Sequence, residues 1–336
     1  MSLSLKYNGL SKLSIRTVID TLSNISKIKI SSPLSFREYV FFGGTESSTT
    51  GTLSDLSSFT TIKVAGVGAG GNGSPNHPGS CCPGRGAGGG AAANLIGNSF
   101  PISDNGITSI YYEVGGSDGQ DTFIQINGPG GTDLIRFHGG SPNPNQTGGA
   151  GGPASGGGPN CVAGGAGAPG GGRYASGPSA SPVTNAAAGG GGAGGAVNDG
   201  QPGTVGGTGG SSDFTPIASQ IITTIFSSRT WSIGPAGPHA GGGGGYGSTA
   251  NTTNGIDAGD VSWAEGGGGG GVFAPGGSGN PGAGGAGAGI RWTDPSDPTN
   301  NGKFFGGGGG GKGNFNNPED GRGGKGFLII QLTSNN

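Results

Sequence analysis

Two glycine-rich stretches of the sequence could bind phosphate groups. Residues 66–71 have the glycine spacing of a dinucleotide-binding loop and directly follow a strand-like run. That chemistry needs a helix whose N-terminus receives the pyrophosphate, and an acidic residue about 20 positions further on. Asn72-Gly73-Ser74-Pro75 follows instead and cannot begin such a helix. We therefore expect no dinucleotide site here.

The second stretch has the outline of a phosphate-binding loop. Residues 306–311 are all glycine and precede Lys312, the residue type that contacts a terminal phosphate in such loops. Gly313 stands where the loop needs the Ser or Thr that binds magnesium, and no helix pattern follows. Because a chain with 87 glycines produces such matches by chance, we expect no cofactor.

Neither a metal centre nor a catalytic group is predicted. His77, Cys81 and Cys82 lie close together, but a structural zinc site needs about four ligands in two short pairs, and the sequence has no second pair. Cys161 and the other histidines are isolated, and no serine stands at a strand-to-helix elbow. We expect unpaired thiols, with a bridge from Cys161 to Cys81 or Cys82 as the alternative. The sequence thus favours a protein that is not an enzyme.

The surrounding elements are dominated by glycine and proline, which supply 87 and 22 of the 336 residues. Collagen is excluded because it needs glycine at every third position without interruption. Disordered chains usually carry many charges, whereas this chain has 10% charged residues, a net charge of −2 and apolar segments between its glycine runs. A disordered low-complexity chain stays the alternative to an ordered fold.

An ordered fold must offset the entropy of its glycines through backbone hydrogen bonds. Fixing a glycine costs about 0.5–1 kcal/mol more than fixing an alanine, and only 30% of the residues are hydrophobic. Polyproline-II geometry has about three residues per turn and no internal hydrogen bonds, so its N–H and C=O groups can reach neighbouring helices. The sequence predicts a mostly irregular and β fold: a polyglycine-II helix bundle, or sandwich, with small antiparallel β elements.

Composition divides the chain into an attachment segment, 1–58, and a glycine-rich domain, 59–336. Apolar residues at helical spacing in the first segment predict a short helix, with a strand as the alternative because several of them are β-branched. Residues 32–39 could begin a second short helix. It lacks the apolar core and cleavage site of a signal peptide, and no run in the chain is long enough to cross a membrane. The candidate attachment residues are Ile15, Val18, Leu22, Phe36 and Tyr39.

Strand patterns begin, interrupt and end the glycine-rich domain. An antiparallel meander is predicted from three runs of β-branched and aromatic residues, at 108–114, 122–127 and 132–138. Apolar residues within 219–233 predict strands that cap the bundle. The closing strand 327–333 can pair with an opening strand at 61–67 and so close the glycine-rich layers between the two ends of the domain.

The inserts between the glycine runs carry the residues that we expect to bind a partner. Exposed loops on a rigid scaffold are a common location for binding, and aromatic residues and arginine are typical of interface hot spots. The candidates are Arg173, Tyr174, Tyr246, Trp263, Phe273, Arg291, Trp292 and Phe315. The alternative for each ring is that it covers the flank of the bundle as part of its core.

Several of these features occur together in residues 60–333: the strand that runs into glycine at 60–71, the GGAGG-type patches, the step Val114-Gly115-Gly116, the six-glycine blocks and the closing Gly-Lys-Gly-Phe-Leu-Ile-Ile. This combination resembles the glycine-rich domain of phage tail-fibre adhesins and related virion surface proteins. The resemblance implies a polyglycine-II sandwich whose variable loops bind a host receptor. Residues 32–39 are similar to a Ser-Phe-acidic segment near the start of phage structural proteins.

We therefore expect a non-enzymatic structural protein on the virion surface, at a tail-fibre tip or as a capsid fibre or decoration protein, made in the host cytoplasm. Segment 1–58 would contact other virion proteins, and the loops would contact a host glycan or protein receptor or neighbouring subunits. The near-neutral charge argues against a nucleic-acid partner, and a homo-oligomer is compatible with the sequence. An ice-binding polyglycine-II protein is the alternative, and it would need a flat face of regularly spaced small residues such as Thr.

Overall fold

The computed structural model describes residues 36–44, 47–73, 88–116, 118–142, 147–170, 176–192, 206–217, 220, 238–239, 287–292, 297–299, 304–311 and 321–334. The chain divides into two compact units, Met1–Leu34 with Asn336 and Ser35–Asn335, and every described residue belongs to the second. The predicted boundary after residue 58 differs from this division, because residues 36–58 supply two strands to the sheets of the second unit. Three candidate attachment residues lie outside the described residues, namely Ile15, Val18 and Leu22.

Strands make up almost all of the regular structure, and the only helix in the described ranges is one 3₁₀ turn, Thr215–Ile217. The fold is therefore mostly β and irregular, as the sequence predicted. The strands are β1 Phe36–Phe42, β2 Thr49–Leu53, β3 Thr61–Val67, β4 Ala93–Pro101, β5 Ile110–Val114, β6 Thr122–Ile126, β7 Asp133–Phe137, β8 Val183–Thr184, β9 Ser212–Asp213, β10 Pro238–His239, β11 Ile290–Arg291, β12 Phe304–Phe305 and β13 Phe327–Thr333. Among the described residues no helix is long and apolar enough to cross a membrane.

The first sheet has the order β1-β13-β3-β4, and all of its neighbouring strands are antiparallel. The predicted pairing of the closing strand with the opening strand is confirmed, since Ile330 lies opposite Val64. On its other side β13 pairs with β1, where the side chain of buried Gln331 donates to Glu38 at 2.7 Å. The last strand of the domain is therefore an inner strand of its sheet.

Strand β1 corrects the prediction of a second short helix within residues 32–39. Its side chains alternate between the two faces of the sheet, with Tyr39 and Phe41 against one cluster of buried residues and Val40 and Phe42 against another. Alternation of this kind is the pattern of a strand covered on both faces. Phe36 and Tyr39, which we predicted as attachment residues, thus lie in the first sheet of the compact unit.

The second sheet has the order β2-β5-β6-β7 and is antiparallel throughout. Its last three strands form the predicted meander, which is confirmed. The connection from β6 to β7 contains Asn127 and Gly128, with φ values of 61° and 110°. Asparagine and glycine are the residues that tolerate positive φ, so this turn follows directly from its sequence.

The two sheets pack face to face around a hydrophobic core. The first sheet contributes Ile62, Val64, Leu328, Ile330 and Leu332, and the second contributes Ile110, Tyr112, Val114, Ile124, Ile135 and Phe137. Phe41 of the edge strand stacks on Tyr112 with their ring centroids 3.9 Å apart. This half of the unit is therefore a β-sandwich, stabilised by ordinary burial of apolar side chains.

The opposite face of the first sheet packs against residues from the glycine-rich part of the chain. Ala65, Val67, Leu95, Phe327 and Ile329 of the sheet lie in one cluster with Phe214, Ile290, Trp292 and Phe305. The rings of Phe305 and Phe327 meet edge to face at 5.7 Å. The first sheet is thus the middle layer between the second sheet and the glycine-rich segments.

Candidate functional site

The glycine-rich segments bond to one another through their backbones, and the bonding partners repeat every third residue. Successive carbonyl groups of segment 187–192 accept amides from three other segments in turn, and the same order repeats over the next three residues, at 2.9–3.0 Å. In order from residue 187 to residue 192, the donors are Gly165, Gly308, Gly210, Ala168, Gly311 and Gly207. A repeat of three residues differs from the two-residue alternation of a strand and from the roughly 3.6 residues per turn of an α-helix.

Segment 187–192 is bonded to three further segments through its own amides. Ala188, Gly190 and Gly192 donate in different directions, and the acceptors are the carbonyl oxygens of Ala288, Gly88 and Pro178. Segment 88–93 is likewise bonded to six stretches of chain, around residues 68–71, 138, 152, 162–165, 190 and 306. Each of these two segments therefore has six bonded neighbours.

Exposure to solvent follows the same period of three in two neighbouring segments, 147–153 and 163–169. The exposed residues are Thr147, Ala150 and Pro153 in one segment and Ala163, Ala166 and Pro169 in the other. The residues one position before each repeat of the exposed row are buried: Gly149 and Gly152 in the first segment, Gly165 and Ala168 in the second. These two segments therefore lie at the outside of the bonded array, with one row of each facing solvent.

Close approach of the segments requires glycine at specific positions. A Cβ atom placed on Gly192 would overlap the carbonyl oxygen of Pro169 and lie 3.2 Å from Cδ of Pro178. A Cβ atom on Gly189 would overlap the carbonyl oxygen of Ala166 in the same way, three residues earlier in both segments. The glycine content of 187–192 is therefore a condition for the spacing of its neighbours.

Most of the predicted binding residues lie outside the described residues: Arg173, Tyr174, Tyr246, Trp263, Phe273 and Phe315. Arg291 belongs to β11, which pairs with β12. Trp292 was predicted to bind a partner at the surface, but only 1% of it is exposed. Its ring centroid lies 5.1 Å from that of Phe42 and 5.9 Å from that of Phe327. An indole ring between sheet and glycine segments contributes to the core, which is the alternative that the sequence left open.

A polar cluster at the ends of β6 and β7 was not predicted from the sequence. Arg136 bonds to Asp121 at 2.9 Å and to Asp133 at 2.6 Å, and its guanidinium lies 4.0 Å from the ring centre of Phe123. The hydrogen bond from Arg136 lowers the pKa of Asp133 below its ordinary value. The sequence could have indicated the contact between Arg136 and Phe123, because the two residues are cross-strand neighbours once the register of the meander is known.

The same cluster joins the second sheet to the glycine-rich segments. Asp121 accepts the amide of Gly139 at 2.9 Å and lies 3.2 Å from Nδ1 of His138. The next residue, Gly140, donates its amide to the carbonyl oxygen of Ala69 at 2.9 Å. These contacts fix the direction in which the chain leaves β7, so the cluster has a positioning role in the fold.

Cys161 is the free cysteine among the described residues. Burial raises the pKa of its thiol to about 11, so the thiol is protonated at neutral pH. Cys81 and Cys82, its predicted alternative partners, lie outside the described residues. Among the residues that the structure describes, no group of three or more His, Cys, Asp or Glu side chains could hold a metal ion.

Comparison of the chain with protein-family models, with curated proteins and with solved structures finds no match.

Proposed function

We propose that the glycine-rich segments form a polyglycine-II helix bundle seated on the first sheet. The repeat of three in hydrogen-bond partners equals the number of residues per turn of that helix, about three. Six bonded neighbours around segments 187–192 and 88–93 are what hexagonal packing of parallel and antiparallel helices gives. The matching period of exposure in 147–153 and 163–169 supports the same geometry.

We propose that this bundle is the rigid platform of a non-enzymatic structural protein on a virion surface. The observation that carries the proposal is the backbone bonding that holds segments 88–93, 162–168, 187–192 and 306–311 together while the chain between them carries the candidate binding residues. Loops held by such a scaffold can vary in sequence without loss of the fold, which suits contact with a host receptor.

The same proposal assigns different roles to the N-terminal segment and to the stretches that connect the glycine segments. Residues 1–34 precede the unit Ser35–Asn335 in the sequence and would contact other virion proteins. The stretches 171–175, 193–205, 240–286 and 312–320 connect described parts of the glycine-rich domain, and they would contact a host glycan, a host protein or a neighbouring subunit. The net charge of −2 gives no electrostatic reason for binding nucleic acid.

The test is to tag the C-terminus in the native genome and to purify particles from the culture. We expect the tagged chain in purified particles by mass spectrometry and at their surface by gold labelling. A matched strain with the tag on an internal, non-virion protein controls for contamination. Absence of the chain from clean particles would overturn the proposed function.

One observation favours a second candidate, an ice-binding protein. The exposed rows of 147–153 and 163–169 are small residues at every third position, which in polyproline-II geometry corresponds to a spacing of about 9 Å. Only one of these six exposed residues, Thr147, is threonine. Thermal hysteresis at micromolar concentration of the purified protein decides between the two: measurable hysteresis supports ice binding and its absence removes that candidate.

A further inference from the structure

One edge of the second sheet has backbone groups that point away from the sheet. The amide of Asn127 in the β6–β7 connection donates to the carbonyl oxygen of Ser109 at 2.9 Å, so Ser109 and every second residue after it in β5 bond toward β6. The intervening residues of β5 bond toward β2, where one of their partners is Gly51. Because bonding direction alternates along a strand, the amide and carbonyl groups of Thr50 and Thr52 point outward from the edge.

Thr50 and Thr52 are exposed, and neither makes a hydrogen bond to another part of the described chain. The outer edge of β2 therefore offers the amide donors and the carbonyl acceptors of both residues. The strand pairs with β5 without a register shift, and its sequence, Thr-Thr-Gly-Thr-Leu, contains no proline and no charged residue. An edge with these properties can pair with a further strand.

The other outer strands of the two four-stranded sheets are protected against such pairing. The amide of Arg136 in β7 donates to the carbonyl oxygen of Gly156 at 2.8 Å. Ala93 of β4 exchanges two backbone bonds with Val162, at 2.8 and 3.0 Å. Strand β1 contains Glu38, and charged residues on an edge strand discourage pairing. Within the described part of the chain, β2 has neither a covering segment nor a charge.

Apolar side chains next to this edge remain partly exposed. The ring of Phe41 in β1 stacks on that of Tyr112 with their centroids 3.9 Å apart, and a Cβ atom on Gly51 would overlap the ring of Tyr112. Strands β1 and β2 therefore lie at the same side of the sandwich. Leu53, Tyr39 and Phe41 pack against its core but are not fully buried. A molecule paired with β2 would lie close to these three side chains.

We propose that a second copy of the chain pairs with β2 in antiparallel order, about a two-fold axis at Gly51. Thr50 then lies opposite Thr52 of the second copy and Thr52 opposite Thr50, and each pair exchanges two backbone bonds. The result is a continuous sheet of eight strands, four from each copy. The two-fold axis also brings Leu53 and Phe41 of both copies to one side of the contact, whereas a separate peptide strand would supply no second set of such side chains. This inference depends on the second sheet alone and not on the proposed bundle.

The experiment places charges at the two exposed threonines of β2. In the like-charge variant, Thr50→Lys with Thr52→Lys, two lysines lie directly opposite each other at both ends of the proposed contact, which is destabilising. In the matched opposite-charge variant, Thr50→Lys with Thr52→Glu, the same register places a lysine opposite a glutamate. Both positions are exposed in the single molecule, and thermal unfolding checks that each variant folds. Sedimentation velocity of the full chain, whose monomer mass is 32.0 kDa, measures self-association over a series of concentrations.

We expect wild type to form dimers with a dissociation constant at least about tenfold lower than that of the like-charge variant, and the opposite-charge variant to dimerise at least as tightly as wild type. Residue-resolved amide exchange gives a second measurement. Thr50 and Thr52 should exchange more slowly at concentrations that form dimers, while Gly51, which bonds to β5 in either state, should not change. A wild type that remains monomeric, or two variants that dimerise equally, would overturn the proposal. Dimers without slower exchange at Thr50 and Thr52 would also overturn it, because another surface would then make the contact.

Discussion

The amide of Ala168 donates a hydrogen bond of 2.9 Å to the carbonyl oxygen of Gly190. Ala166, two positions earlier in the same segment, is exposed to solvent, whereas only 4% of Ala168 is exposed. The two residues have the same side chain and are only two positions apart, but Ala168 is buried and its amide is hydrogen-bonded, whereas Ala166 faces solvent.

We expect proline to be tolerated at position 166 and not at position 168. Ala168→Pro removes the bond to Gly190 and leaves a buried carbonyl group unsatisfied, at a cost of about 1–3 kcal/mol. Ala166→Pro should change the free energy of unfolding by no more than about 0.5 kcal/mol, because the amide of Ala166 donates none of the bonds between segments and the proposed polyproline-II geometry suits proline. Urea unfolding of the two variants measures the difference, and equal costs would contradict a three-residue repeat.

Gly192→Ala tests the close approach of neighbouring segments. The added Cβ would overlap the carbonyl group of Pro169, so we expect a loss of about 1–3 kcal/mol of stability. Amide exchange of Gly207, which donates to the carbonyl oxygen of Gly192 at 2.9 Å, should become faster. The control is Gly128→Ala, where a Cβ meets nothing within 4 Å and only a positive φ is strained. If the control accelerates exchange at Gly207 equally, the effect is not local and the prediction fails.

The ion pair of Asp133 and Arg136 predicts a dependence of stability on pH. Because the pKa of Asp133 is below its ordinary value of 3.8 in the folded protein, the ionised form stabilises the fold above that pH. The contribution is lost as the pH falls through the lower, folded-state pKa. Both side chains are partly exposed, so we expect no more than about 1 kcal/mol.

Asp133→Asn is the variant for this measurement. The difference in unfolding free energy between wild type and Asp133→Asn should be constant near neutral pH and shrink below about pH 4. Asp104→Asn is a matched control, since Asp104 is exposed and its recorded side-chain bond is with Ser103. A difference for Asp133→Asn that does not change with pH would mean that Arg136 contributes through packing on Phe123 alone.

Cys161 should react slowly with alkylating reagents in the folded protein. A pKa of about 11, compared with an ordinary value of 9.0, lowers the fraction of reactive thiolate at pH 8 by roughly 100-fold. Iodoacetamide labelling followed by peptide mass spectrometry compares folded and urea-unfolded chains at this position. Labelling of Cys161 at the same rate in both states would contradict its burial, and a disulfide-linked peptide containing Cys161 would show the alternative bridge.

Deletion of residues 327–336 should abolish the compact fold. The deletion removes β13, which lies between β1 and β3 and whose Leu328, Ile329 and Ile330 are fully buried. We expect the radius of gyration, measured by small-angle X-ray scattering, to increase to that of an unfolded chain. Deletion of Asn335 and Asn336 alone is the control, because β13 ends at Thr333. An unchanged radius for the longer deletion would favour the disordered low-complexity chain.

The sequence predicted the strands whose patterns are local. The meander β5–β7 and the pairing of β13 with β3 follow from alternation, β-branched residues and glycine breakers. It did not predict β4, in which Asn94, Gly97 and Asn98 interrupt the apolar pattern. Asn94 and Asn98 are accommodated there because they bond to each other at 3.0 Å and to the carbonyl oxygen of Gly157.

The other features that the sequence did not predict depend on contacts between distant parts of the chain. Nothing near Trp292 in sequence indicates that its ring meets Phe42, which lies 250 positions earlier. The ion pairs of Arg136 depend on the register of two strands, and a glycine segment has no side-chain pattern that would reveal its neighbours. Composition indicated that backbone bonds dominate, but only the fold shows which segments they join.

The position of β13 also determines when the protein can fold. Val64 and Tyr39 acquire their neighbour Ile330 only after all the residues between them have been synthesised. The two clusters of buried residues on either side of the first sheet are therefore complete only once β13 has paired, because β13 supplies residues to both. Pairing between strands so far apart in the sequence makes folding slow.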